Sequence, residues 1–372
     1  MRLLDRYLLR ELLIPFGYCL GGFLIFWISF DLINEMSTFQ RAHLKPLEIA
    51  MYYVVKTPGD LVFPMLPAAW LLALLYAMVH HARHNELIAM RAAGVSIWRV
   101  AMPYLVLGFF LSVGLFIINE FWAPEGTERA EAILKKQSTT TKGASKRWVR
   151  NVTFSNGRGN RTWVIEAYDR QTGTMIRPHV KWTLATGTLC EINAERAGRT
   201  NDVWVFLNVK ELTYIPIAGA VPLPEFKDVR AIPEFSETPA EIESEIKIGN
   251  IHSLRDIRRA QLSMMEIIRY KRLHPEDSPS MNMLDTKLHG RLAAPWTCLV
   301  IVLISLPFGA MTGRRNVFAG VASSIVICFA YFILMQVGLA LGSGGFVYPW
   351  MAAWSPNIFF SMGGIIATWK FR

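Results

Sequence analysis

The chain has 372 residues, 52% of them hydrophobic and 18% charged, and its 39 basic against 29 acidic residues leave a net charge of +10. That apolar content excludes disorder over most of the chain, and its concentration into runs at both ends excludes an ordinary soluble enzyme. What remains is a membrane protein that carries one polar insertion.

The first apolar run, residues 12–33, holds a single charge, Asp31, at its far end. It matches the roughly twenty residues that a membrane helix needs. It is too long for a signal-peptide core and no small-residue cleavage site follows, so it is expected to stay as a helix. Arg41, Lys45 and Lys56 come next, mixed with Glu35, Glu48 and Asp60. The second run, 61–79, is uncharged, and its Pro64 and Pro67 are expected in the first helical turns, where proline is tolerated.

Between the second and third runs lies the stretch 85–96, Asn-Glu-Leu-Ile-Ala-Met-Arg-Ala-Ala-Gly-Val-Ser. It favours helix and ends at Gly94, a helix stop. Leu87, Met90 and Ala93 fall near one face, with Glu86 and Arg91 off it. A short exposed helix with apolar knobs suits a groove on a partner protein. A helix lying at the membrane interface fits the same pattern. The third run, 98–118, has Arg99 at its start and Glu120 just beyond its end.

The middle of the chain reads as short β-rich pieces at 147–154, 161–169, 180–184, 188–194 and 202–214, separated by Gly, Asn, Arg and Thr clusters. Alternation in 161–169 places Trp163, Ile165 and Ala167 on one face. Strands at this spacing predict a sandwich or jelly roll. The run 203–207 is apolar on both faces, which fits either a strand buried on both sides or one that lines an apolar groove. A proline-rich link, 215–239, precedes a short helix opening at Pro239. Ser253 then caps an amphipathic helix whose apolar positions are Leu254, Ile257, Leu262, Met265 and Ile268. Its Arg255, Arg258, Arg259, Arg269, Lys271 and Arg272 form either a solvated basic face or one drawn to anionic lipid.

Three more apolar runs follow at 292–311, 317–341 and 351–369, the last two split by a Gly-Ser-Gly-Gly turn at 342–345 and Pro349. The predicted domains are therefore 1–122, three transmembrane helices; 123–287, the β-rich insertion with a helical end; and 288–372, three more transmembrane helices. No repeat relates the two halves.

Short-loop Lys and Arg counts orient the chain. One side receives Arg2, Arg6, Arg10, Arg83, Arg91, Arg314, Arg315, Lys370 and Arg372. The other mixes Arg41, Lys45 and Lys56 with three acidic residues. Both termini are expected in the cytoplasm and the insertion on the opposite face, the bacterial periplasm.

Cys19, Cys298 and Cys328 lie in apolar runs and Cys190 alone in the insertion, which gives no disulfide framework. No phosphate-binding loop, zinc-protease pair or nucleophile elbow occurs. His80 and His84 have metal-pair spacing, but His81, Arg83 and Arg91 beside them mark a basic helix end. Gly59-Asp60 has no second mid-membrane aspartate to make an aspartyl protease. Neither catalysis nor a metal site is expected in this chain, and its basic excess is explained by topology without nucleic acid.

The order of several short motifs resembles one family, the LptF/LptG-type permeases of the lipopolysaccharide export ABC transporter. They are Leu4-Asp5-Arg6-Tyr7, Phe63-Pro64-Met65, Glu120-Phe121-Trp122-Ala123-Pro124, Leu306-Pro307-Phe308-Gly309, Gly313-Arg314-Arg315 and Ala352-Ala353-Trp354-Ser355-Pro356-Asn357. The Asp-Arg-Tyr start and the Ala-Trp-x-Pro-Asn motif lean toward the LptG side.

The resemblance implies a permease without its own ATPase site. A cytosolic LptB-like ABC ATPase dimer would bind ATP and Mg. A second, LptF-like permease would complete a heterodimer, and LptC/LptA-like periplasmic bridge proteins would receive the cargo. It implies that Glu86, Leu87, Met90, Arg91 and Gly94 form the coupling helix. The first and fifth spans would line the lipid cavity, at Gly22, Phe26 and Phe30 and at Gly320 and Ser324. Small residues such as Gly17, Gly21, Ala322 and Ser323 would permit close helix contact there. Lipid A phosphates would lie within reach of Arg41, Lys45, Lys56, Lys287 or Arg291. At roughly 0.8 kcal/mol per methylene, exposing about sixty lipid methylenes to water would cost about 50 kcal/mol, so such a cargo must stay covered. The alternative is a membrane scaffold whose β-rich domain binds another envelope protein without transport.

Overall fold

A computed structural model describes residues 3–135, 148–184, 187–214, 223–249, 262–274, 279–310 and 317–370. Packing divides the chain into a helical unit, Met1–Ser138 with Pro279–Arg372, and a β-rich unit, Thr139–Ser278.

The helical unit comprises α1 (Leu3–Arg41), α2 (Pro46–Arg83), α3 (Glu86–Ala92), α4 (Ile97–Ile117), a π-turn (Ile118–Trp122) and α5 (Ala123–Lys135). After the insertion it continues with α8 (Pro279–Ala293), a 3-10 turn (Ala294–Trp296), α9 (Thr297–Ala310), α10 (Val317–Ser343) and α11 (Pro349–Lys370). Among the described residues, five stretches are long and apolar enough to cross a membrane: Leu3–Arg41, Met65–Arg83, Ile97–Gly126, Met281–Pro307 and Ile325–Ser343. The sixth expected span is the continuous helix α11. At about 33 Å it is long enough, but with Ser355, Pro356 and Asn357 in its course it is not among the five stretches apolar enough by composition.

Several elements run further than the sequence predicts. Helix α2 begins at Pro46, so Pro64 and Pro67 lie in its interior and not in a first turn. The 120–124 motif continues the third span through the π-turn, and the fourth span is entered through α8, so Lys287 and Arg291 are helical.

Two breaks in these helices are repaired by side chains. In the π-turn the Ala123 N–H bonds to the Ile118 carbonyl, and Pro124 has no N–H to offer Asn119. Arg291 donates to that stranded Asn119 carbonyl instead. In the 3-10 turn the Thr297 N–H turns to Ala294, and the Ala293 carbonyl accepts from Asn357 Nδ2 at 2.8 Å. The Tyr331 hydroxyl donates to Asn357 Oδ1 at 2.6 Å and lies 2.7 Å from Thr297 Oγ1. Four elements are clamped by this one buried network. Close contact finishes the packing: a Cβ on Gly364 would stand 2.5 Å from the Leu303 carbonyl oxygen.

The β-rich unit holds β1 (Trp148–Asn156), β2 (Arg161–Asp169), β3 (Met175–Thr183), β4 (Leu189–Asn193), β5 (Arg196–Thr200), β6 (Val203–Tyr214) and β7 (Leu223–Ile232), then α6 (Pro239–Gly249) and α7 (Met264–Leu273). All pairings are antiparallel, in the order β1-β2-β3-β4-β6-β5 with β7 on β6 and β5 also on β3. Strands β5 and β7 and the first half of β3 were not legible in the sequence. Residues 250–261, where the predicted Ser253-capped helix starts, lie outside the described residues. The capped helix seen is α7, whose Ser263 hydroxyl accepts from the Glu266 N–H.

One line of positions crosses the whole sheet: Asn151, Glu166, Arg177, Glu195, Asn208 and Asp228. Direct pairing lapses at each, yet the register on either side is kept. All six are exposed. The three strands that run one way, β1, β3 and β6, adopt left-handed backbone there, at Asn151 (φ 54), Arg177 (φ 45) and Asn208 (φ 53). Ion and amide pairs follow the line, Arg177 to Glu166 at 3.0 Å and Asn208 to Glu195 at 2.6 Å.

The buried alternation shifts by one residue as it crosses, from Trp163 and Ile165 to Tyr168, from Val180 to Met175, from Ile192 to Ala197 and from Phe206 to Val209. That shift is why Ala167, expected on the buried face, is only half-buried. The line is therefore a crease, and the residues on its two sides share one core with Trp204 and Phe235. Val203 and Val205 are half-buried and Leu207 exposed, so β6 presents one buried face.

Asparagine tolerates left-handed backbone and β-branched residues do not. Asn151→Val should destabilise the β-rich unit by about 1–3 kcal/mol while Asn151→Gly stays near neutral. Thermal unfolding of the purified protein checks this, and equal effects of both changes would remove the crease as the cause.

Candidate functional site

Helix α3 starts from Asn85 in left-handed backbone (φ 58) and is stopped by Gly94 (φ 79), where the Val95 N–H returns to the Met90 carbonyl. Ser96 then caps α4 by accepting from the Arg99 N–H. Leu87 and Met90 turn onto the helical unit's own core. Ile88, Ala89, Arg91 and Ala92 form the outward face, with Ile88 57% exposed. Ile88 was not singled out in the sequence, although its spacing to Arg91 and Ala92 marks the opposite helical face.

Glu86 points inward. The Tyr7 hydroxyl donates to Glu86 Oε1 and Oε2 at 2.9 and 3.0 Å, and His81 Nδ1 lies 2.7 Å from Oε2. An ionised carboxylate only accepts, so His81 Nδ1 carries the hydrogen. The other ring nitrogen of the fully buried His81 lies 3.2 Å from the Tyr104 hydroxyl. Asp5 meets Arg99 at 2.9 Å. The opening motif thus acts as two ties, Asp5 from α1 to α4 and Tyr7 from α1 to α3. Burial alone would raise the Glu86 carboxyl, but hydrogen bonds from His81 and Tyr7 outweigh it and hold the group below its ordinary value.

The remaining candidates are dispersed. Helix α1 is the least packed span, with 6% of its apolar window buried, and α10 follows at 22%, against 61% for Met65–Arg83 and 67% for Met281–Pro307. Phe26 and Phe30 stack at 6.4 Å and are 68% and 54% exposed. A Cβ on Gly17, Gly21 or Gly22 would meet nothing within 4 Å, so the chain's own helices do not use these glycines. Gly320 and Ser324 belong to α10, but their surroundings lie outside the described residues.

Arg41 and Lys45 are exposed at the α1–α2 turn. Lys56 is bound to both Asp31 oxygens, at 3.0 and 2.9 Å, beneath the Tyr52 ring. Lys287 is half-buried one turn before Arg291. The His80 and His84 rings lie tilted with centroids 4.4 Å apart, and among the described residues no three His, Cys, Asp or Glu gather as a metal site.

The family described as "Lipopolysaccharide export system permease LptF/LptG" matches residues 6–370, nearly the whole chain. The chain belongs to the LptF/LptG family. No curated protein matches it. Membership makes it a permease of the lipopolysaccharide export system, a transport component and not itself an enzyme, and its apolar helices are those of a multi-pass inner-membrane protein.

In this permease the Glu86 tether should persist through neutral pH. A depressed carboxyl pKa contributes stability above the ordinary carboxylate range, and that contribution is lost as pH falls through the lowered value. Tyr7→Phe should cost about 1 kcal/mol, and Glu86→Ala more, because it also removes the partner of the buried His81 Nδ1. Unfolding midpoints in detergent should show the double change costing less than the sum of the two single changes. Full additivity would mean that the contacts are not energetically coupled.

Proposed function

We propose that this chain is the LptG-like half of a permease heterodimer that extracts lipopolysaccharide from the inner membrane, driven by a cytosolic ABC ATPase dimer that binds ATP and Mg. Helix α3 is the coupling helix, docked through Ile88 and Arg91. The observation that carries this reading is the Glu86 tether. It links α3, a short helix with the exposed apolar side chain Ile88, to α1, the least buried of the apolar spans among the described residues. An ATPase that displaces α3 therefore pulls on α1, and α1 with α10 lines the lipid cavity against the second, LptF-like permease. The open glycines on α1 support a close, reversible seam there. Both termini are cytoplasmic, and the β-rich unit is periplasmic and passes cargo toward bridge proteins.

Arg41 and Lys45 meet lipid A phosphates at the headgroup level, with Lys287 as a further contact. Lys56 and Arg291 join only if their ties to Asp31 and the Asn119 carbonyl open.

An impermeant thiol reagent applied to spheroplasts should label Ser155→Cys or Asn201→Cys but not Ser96→Cys; labelling at position 96 alone reverses the orientation. Photo-crosslinkers at Phe26 or Phe30 should capture lipopolysaccharide when the second permease and the ATPase are present. Ile88→Asp should weaken ATPase association, because it places a charge in an apolar contact. Normal export and complex yield from that variant would remove Ile88 as a docking contact, whereas a parent chain that does not co-purify with an ATPase would favour the scaffold alternative.

A further inference from the structure

Between β7 and α6 the chain runs without regular structure over residues 233–238, yet two of its side chains are buried as deeply as any in the β-rich unit: Phe235 at 1% and Glu237 at 0% exposure. Phe235 fills an aromatic slot. Its ring centroid lies 5.3 Å from Trp163, 5.4 Å from Trp182 and 5.9 Å from Phe206, all in edge-on geometry. The Arg161 guanidinium covers it at 5.0 Å.

Glu237 is the latch. Its Oε1 accepts from Asn156 Nδ2 at 2.7 Å and Trp163 Nε1 at 3.3 Å, and forms an ion pair with Arg161 Nε at 2.9 Å. Its carbonyl accepts from Trp204 Nε1 at 2.7 Å and Arg199 at 3.2 Å. Arg161 also donates to the Glu234 carbonyl at 2.6 Å.

A permanent closure of an apolar core needs no carboxylate, since well-packed apolar residues do at least as well as a buried ion pair. Here the second oxygen, Oε2, is buried without a hydrogen-bond partner, and a half-satisfied buried charge weakens the closed state. The next segment is built alike. Helix α6 lays Ile242 and Ile246 on the core, but its buried side also carries Glu241 and Glu245.

We propose that residues 234–238 are a displaceable, self-inhibitory strap. Phe235 holds the slot that an acyl chain of the cargo occupies once the Arg161–Glu237 latch opens. The slot suits an acyl chain because its walls are the faces and edges of Trp163, Trp182 and Phe206, which take apolar carbon without asking for a hydrogen bond. The strap covers this core until cargo replaces it, so the aromatic interior is not left open to water between loads. This inference rests on the export reading, which brings lipopolysaccharide to the β-rich unit.

The test uses the full permease complex in membranes, with a photo-crosslinker in place of Trp182 and, separately, in place of Phe26. Phe235→Ala and Glu237→Gln should each raise lipopolysaccharide capture at position 182 several-fold over the parent strap while leaving capture at position 26 unchanged. Glu237→Gln keeps one acceptor oxygen, removes the charge and exchanges the second oxygen for an amide NH2 at nearly the same volume, so it decides the matter if Phe235→Ala fails to fold. Capture at 182 that is equal in all backgrounds, with capture at 26 intact, overturns the strap alone. No capture at either position overturns both the strap and the export reading.

Discussion

Hydrocarbon offers no hydrogen bonds, so every backbone carbonyl inside the membrane must find its donor within the protein. Continuous helices meet that demand until a proline removes a donor, and this chain has prolines in most of its long helices. Its packing follows from the repairs. Asn119, stranded by Pro124, is served by Arg291 from α8. Ala293, stranded where the Thr297 N–H turns to Ala294 in the 3-10 turn, is served by Asn357 from α11, and Asn357 is fixed by Tyr331 from α10. Each repair crosses from one helix to another, so the same bonds that satisfy the backbone also set which helices are neighbours.

That inward focus leaves two helices under-used. The interior belongs to Met65–Arg83 and Met281–Pro307, while α1 and α10 give most of their apolar surface to the outside. Helix α1 still buries Leu8, Leu12 and Phe39, and polar ties add to that hold. For α1 those ties are Tyr7 and Asp5, which reach α3 and α4. Lys56 and Asp31 hold its other end to α2.

The β-rich unit solves a different problem, how seven strands enclose one core without a second sheet. A crease of six polar positions turns the sheet, with β4 and β5 meeting at one of them, Glu195, and the buried face shifts by one step as it crosses. The core this makes is closed by an irregular strap and an acid-bearing helix, which combine apolar plugs with buried carboxylates.

Read alone, the sequence determined the class of the protein: apolar runs at both ends, a β-rich insertion, a short helical stretch within 85–96 with its Gly94 stop, and motifs whose order identifies the family. Those features are local, set by composition and period, and survive any arrangement of neighbours. It could not say which way side chains on a short helix point. Glu86 looked like a solvated docking charge because one partner, Tyr7, is far away along the chain, and the other, His81, is fixed from its far side by the distant Tyr104. Lys56 and Arg291 looked like free cations for the same reason.

Strands β5 and β7 escaped because their alternation is weak. The crease escaped too, because a one-residue shift in one strand is noise until six strands show it in a single register. Pro178 was the one local sign of it, directly after left-handed Arg177. Period and composition are properties of a segment. Partnership is a property of segments brought together, and only the tertiary structure decided it.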